Sequence, residues 1–116
     1  MIKDGLFWAE QLRTNQISFQ EYVEEIERNV LKENSQLNAL VTFDKESALK
    51  QYNETKNIQE TPFAGLPIPL KMLGQSKKGW LATSGSRLFI NQRASYTSHF
   101  VHSLEKIGFI PLGQTA

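Results

Sequence analysis

The sequence contains no cysteine. That excludes disulfides, thiolate metal ligands and a cysteine nucleophile, and it fits a reducing compartment. No apolar run reaches the length needed to span a bilayer. The first sixteen residues, MIKDGLFWAEQLRTNQ, scatter charges where a signal peptide would carry an apolar core, so no secretory leader is expected. Excess charge is also missing: 13 Lys and Arg against 12 Asp and Glu leave a net +1. Bulk electrostatics therefore gives no push toward nucleic acid, a membrane surface or an acidic partner. Histidine is scarce. His99 and His102 stand three apart with Glu105 three further on, a spacing that could hold a metal. With no other ligand nearby, a solvated helix face is the better reading. Internal repeats and low-complexity tracts are absent. The chain reads as soluble and cytoplasmic.

What is present suits one small domain: 116 residues, 40% hydrophobic and 22% charged. Residues 5–14 (GLFWAEQLRT) place Leu6, Phe7, Ala9 and Leu12 near helical spacing. Ser18 with Glu21 forms a capping box, and Ile17 with Tyr22 fits a hydrophobic staple. The helix that follows is expected to run to about Lys32, with Tyr22, Val23, Ile26, Val30 and Leu31 on its inner stripe. Residues 37–43 (LNALVTF) read as a strand. Asp44 then caps an amphipathic helix that turns Ala48, Leu49 and Tyr52 inward, and residues 57–62 form a polar loop.

Further on, residues 74–87 make a long Gly/Ser/Lys-rich loop interrupted by Trp80-Leu81. Thr97 or Ser98 caps a last helix, with Phe100, Val101, Leu104 and Ile107 inward and Gly108 at its C′ position. Residues 109–112 (FIPL) are a final short strand. The layout is helical over 1–35 and β/α over 37–116. Strands alternating with helices predict an α/β fold with partly parallel pairing. Three short strands make a thin sheet with exposed edges, which invites pairing with more chain. The sequence reads as the beginning of a larger α/β domain.

The run AGLPIPLKMLG, residues 64–74, raises a chemical question. Alternation along a strand points Leu66, Ile68 and Leu70 one way and Pro67, Pro69 and Lys71 the other. Two prolines make such a strand an edge strand or leave it paired on its carbonyl side only. Stiff backbone limits how far Lys71 can wander, and Met72 and Leu73 are expected to keep its surroundings dry. Desolvation disfavours the ammonium, so the setting suits a catalytic amine. The bland alternative is a lysine that packs its stem and snorkels its charge to water.

The strings PFAGLPIPLK, KKGWLATSGSR and YTSHFVHSLEKIGFIPLGQT, in that order and at matching spacing, resemble the opening of the amidase signature family. Its members carry a Gly-hydrophobic-Pro run ending in lysine, a Thr-x-Gly-Ser segment, and a capped helix leading into a Gly-Lys-Thr strand. The SFQEYVEEIERN helix and LNALVTFD strand also match, so the resemblance covers nearly the whole chain. It implies an α/β fold whose mixed, partly parallel sheet is covered by helices, with 1–116 the N-terminal part of a single amidase domain and its sheet incomplete. It implies an amide hydrolase with a Ser–cis-Ser–Lys triad, small-molecule amide substrates, no cofactor, and Lys71 as the triad lysine. Both serines lie further along in the family, so this chain alone is expected to be inactive.

Ser84 and Ser86 match the Thr-x-Gly-Ser loop, and turn chemistry is their ordinary reading. Two positions depart from the family: Met72 replaces an aspartate, and residues 113–116 read Gly-Gln-Thr-Ala where Gly-Lys-Thr-Asn is usual. Losing the acid beside Lys71 favours its neutral amine, or marks an activity that has lapsed. Two further readings therefore stand beside the hydrolase. One is a non-catalytic remnant that self-associates, or binds a partner, through its exposed sheet edge. The other is the amidase component of a tRNA-dependent amidotransferase, against which the missing Lys-Asp pair argues. The cluster Lys77, Lys78 and Arg87 reads as a solvated loop, and Trp8 and Trp80 as packing residues.

Overall fold

A computed structural model describes residues 4–37, 40–71, 75–81 and 93–115. Helix α1, Gly5–Arg13, starts where the Asp4 carboxylate accepts the Phe7 amide. Helix α2, Phe19–Leu37, starts where the Ser18 hydroxyl accepts the Glu21 amide, which is one half of the expected capping box. Strand β1, Leu40–Phe43, leads into α3, Lys45–Glu54, capped by Asp44 through the Ser47 amide. A single 3₁₀ turn, Ile58–Glu60, lies inside the expected loop. Strand β2, Pro67–Lys71, is followed by α4, His99–Lys106, and β3, Ile110–Thr115. Ser98, not Thr97, caps α4, and Gly108 closes it at φ +105°, as its C′ position requires.

The sheet is mixed, in the order β1-β3-β2. β3 pairs parallel with β2 and antiparallel with β1. Among the described residues β2 lies at an edge, one of the two placements expected of a strand with two prolines. A third proline, Pro111, sits in the central strand. It is tolerated because the β1 pairing begins only at Gly113, and the β2 register slips between Ile68 and Pro69.

One core holds the layers together. Leu12, Val23, Ala48, Leu66, Ile110 and Leu112 are buried side chains contributed by α1, α2, α3 and the two parallel strands with their approach. Phe19 stacks on Tyr52 at 4.2 Å between centroids, fastening α2 to α3. Phe63 stacks on Phe109 at 4.1 Å, fastening the approaches to β2 and β3.

Several boundaries differ from expectation. α2 continues to Leu37 because neither glycine nor proline interrupts it after Val30. It thereby takes Leu37 from the expected strand. Buried stripes are also narrower: Leu31 is 75% exposed and Leu6 66%, and Phe100 and Ile107 are exposed beside the buried Val101. Each flanks the helix line that meets the core, and no neighbouring element among the described residues reaches round to cover it.

Candidate active site

Alternation along β2 holds at its end: Leu70 is fully buried and Lys71 is exposed. Lys71 pairs with Thr115 and Leu70 with Gln114, so the carboxyl ends of two parallel strands lie side by side. That is where open α/β sheets place their chemistry. The Lys71 amide donates to Gln75 Oε1 at 2.6 Å, which holds the backbone at the strand's last residue.

Partial burial of Lys71, expected from the apolar run, is not found. The face opposite Leu70 points away from the core, and no described residue closes over it. Met72 and Leu73, expected to supply the dryness, lie outside the described residues, as do Ser84, Ser86 and Arg87.

The segment 75–81, which starts beside Lys71, is tied down repeatedly. The Ser98 amide donates to the Ser76 carbonyl at 2.9 Å, and the Lys78 amide donates to the Thr97 hydroxyl at 3.1 Å. Lys77 Nζ meets Glu105 Oε2 at 2.6 Å, with the two side chains only 15% and 17% exposed. Gln51 Nε2 donates to the same carboxylate oxygen at 2.5 Å. Such a sheltered, charge-assisted pair holds geometry better than an exposed one. Lys77 also lies 6.0 Å from the Trp80 ring centroid. It is therefore a structural cation and not part of a solvated basic cluster.

Gln114 is the buried polar residue of the sheet, 3% exposed. Its Nε2 donates to the Leu81 carbonyl at 2.8 Å, and its Oε1 accepts from the Thr42 hydroxyl at 3.3 Å. Both ends of the amide are thus satisfied, as burial demands. The sequence marks Gln114 only as a departure. Its structural task is to join β1, β3 and the Trp80-Leu81 segment.

Two clefts flank the sheet. One, about 230 Å³, is lined by Thr42, Asp44, Trp80, Leu81, Arg93 and Gln114. The other, about 240 Å³ and mainly apolar, lies against Ile26, Phe43, Pro67, Pro69, Leu112 and Thr115. Lys71 lines neither. His99 and His102 are exposed on α4, and among the described residues no group of three metal-ligating side chains comes together. Trp8 packs edge-on against Phe7 and tilted against Tyr22. Burial, and then the Glu25 carboxylate, pushes the Tyr22 phenol up from its ordinary value. No helix among the described residues is long and apolar enough to cross a membrane.

Comparison with known proteins gives a consistent picture. The family model Amidase matches residues 21–116. A lipoamidase of Enterococcus faecalis is 40% identical over 109 residues, covering 92% of this chain and 15% of that protein. A glutamyl-tRNA(Gln) amidotransferase subunit of Nitrosomonas europaea is 32% identical over 108 residues, covering 90% of this chain and 22% of that protein. Among solved structures, 6-aminohexanoate cyclic dimer hydrolase complexed with substrate superposes with a TM-score of 0.86 at 30% identity. The match covers 97% of this chain and 23% of the hydrolase. A bacterial aryl acylamidase of the amidase signature enzymes shares the fold, with a TM-score of 0.84 at 24% identity; 97% of this chain and 25% of the acylamidase are covered. The chain thus spans less than a quarter of the length of these two curated relatives and of the cyclic dimer hydrolase.

Proposed function

This chain belongs to the amidase family, and from that footing we propose that it contributes the lysine of an amide hydrolase, with Lys71 as the base of a Ser–cis-Ser–Lys triad. One observation carries the reading. The lysine that ends the family-like Gly-Leu-Pro-Ile-Pro-Leu-Lys run stands at the carboxyl end of a parallel strand, with its backbone amide held. The two serines belong to a later Gly/Ser-rich segment of the polypeptide.

The relay needs Lys71 Nζ neutral at rest. The nucleophilic serine gives its proton to the bridging serine, which passes its own to Lys71. The serine oxygen then bonds to the amide carbon. As the tetrahedral adduct collapses, the carbon–nitrogen bond breaks, and the proton returns through the bridging serine to the departing amine. Water enters by the same relay, cleaves the ester, and restores both serines and the neutral lysine. A neutral lysine near physiological pH requires desolvation. Since Lys71 is exposed among the described residues, the later polypeptide supplies that cover.

The test is Lys71→Ala in the full-length polypeptide, assayed on a simple amide or ester. Turnover is expected to vanish while circular dichroism reports an intact fold. Retained turnover removes Lys71 from the mechanism.

A further inference from the structure

We propose that Gln75 is a positioning residue for this reaction: by accepting the Lys71 amide proton it fixes the end of β2, and with it the point from which the lysine reaches the reacting atoms. The inference rests on the reading of Lys71 as the base.

The strand's own chemistry makes this acceptor necessary. Backbone N–H groups along a strand point alternately to its two sides, so residues 67, 69 and 71 address the same side. Two of the three are prolines and have no hydrogen to give. Lys71 is therefore the lone donor in that row, and its hydrogen goes to the Gln75 side chain at 2.6 Å. Without a partner, the last residue of an edge strand would fray, and the lysine would move with it.

Gln75 can serve as an anchor because its own backbone is fixed from the far side of the fold. The next residue, Ser76, accepts from the Ser98 amide at the start of α4. Lys77, one further on, enters the sheltered pair with Glu105 of α4, where Gln51 of α3 also donates. The line runs from α3 and α4, through Lys77 and Ser76, to Gln75 and so to Lys71. These contacts reach Lys71 through its backbone amide, so the role is placement.

The test uses the full-length polypeptide and three variants, with kcat and KM measured across pH. Gln75→Met keeps the length of the side chain and removes the acceptor. Its kcat is expected to fall about tenfold to a hundredfold, with KM within about twofold, the cost of a slightly misplaced catalytic group. Gln75→Glu keeps an acceptor oxygen and is expected to recover most of the plateau kcat. A residue that merely stabilised the fold would lower the melting temperature of Gln75→Met while leaving the kcat of the folded enzyme unchanged. The proposal is overturned if Gln75→Met keeps kcat within about twofold of wild type, or if Gln75→Glu is as impaired on the plateau as Gln75→Met. Lys71→Ala separates the two readings. If it abolishes turnover while Gln75→Met stays fully active, only the positioning role fails; if it stays active, the base assignment fails and the positioning role with it.

Discussion

Gly113 is the position where a single added methyl does the most predictable damage. It lies buried in β3, opposite Phe43 of β1 and Pro69 of β2. A Cβ there would be driven into the Thr42 carbonyl oxygen, with the Thr42 carbonyl carbon and the Phe43 Cα each 3.2 Å away. All three obstacles are backbone atoms, so no side chain can turn aside, and Gly113→Ala must push β1 off β3. Overpacking of this kind costs about 1–3 kcal/mol. Displacing β1 also opens the bond from the Thr42 hydroxyl to Gln114, worth about 1 kcal/mol. The total is about 2–4 kcal/mol, and a urea slope of about 1.5 kcal/mol per M lowers the unfolding midpoint by roughly 1–3 M. Gly79→Ala is the matched control. A Cβ there meets nothing within 4 Å, but φ is +86°, so only backbone strain of about 1–2 kcal/mol remains. Urea unfolding followed by circular dichroism measures both. A Gly113→Ala midpoint equal to wild type, or above that of Gly79→Ala, would refute the steric argument.

Asp44→Ala removes the acceptor for the Ser47 amide at 3.0 Å and is expected to destabilise by about 1 kcal/mol, with Asp44→Asn losing clearly less in the same titration. Tyr22 contributes on the alkaline side. Its folded pKa lies above the unfolded value, so its contribution to stability is full below the unfolded pKa of about 10 and is lost as pH rises through the folded one. Tyr22→Phe should flatten the alkaline decline of the unfolding midpoint, and equal slopes in the two proteins would contradict this.

Local signals are legible in the sequence because the interactions behind them span three or four residues. Ser18, Asp44 and Ser98 each accept an amide three residues on. Gly108 closes α4 for the same local reason. Strand alternation likewise separates buried Leu70 from outward Lys71. The partners that decide burial lie far away in sequence, and there the reading weakens. Leu6, Leu31, Phe100 and Ile107 satisfy helical spacing, but spacing does not say how wide a stripe the neighbouring elements will cover. Dryness at Lys71 requires a surface to approach it, and no strand pattern encodes one. Gln75 looks like ordinary loop polarity, and Gln114 like a lapse from a motif. Their roles depend on Lys71, Leu81 and Thr42, the last separated from Gln114 by 72 positions.

The sheet order imposes a schedule on biosynthesis. β3 is the last of the three strands to leave the ribosome and the only one of them that touches both others. Until it emerges, β1 and β2 have no ladder to join. Helices α1, α2 and α3 can form from local contacts, whereas the sheet closes only across long sequence separations. A nascent chain stalled before Ile110 would therefore be a client for chaperones, however well its helices had formed.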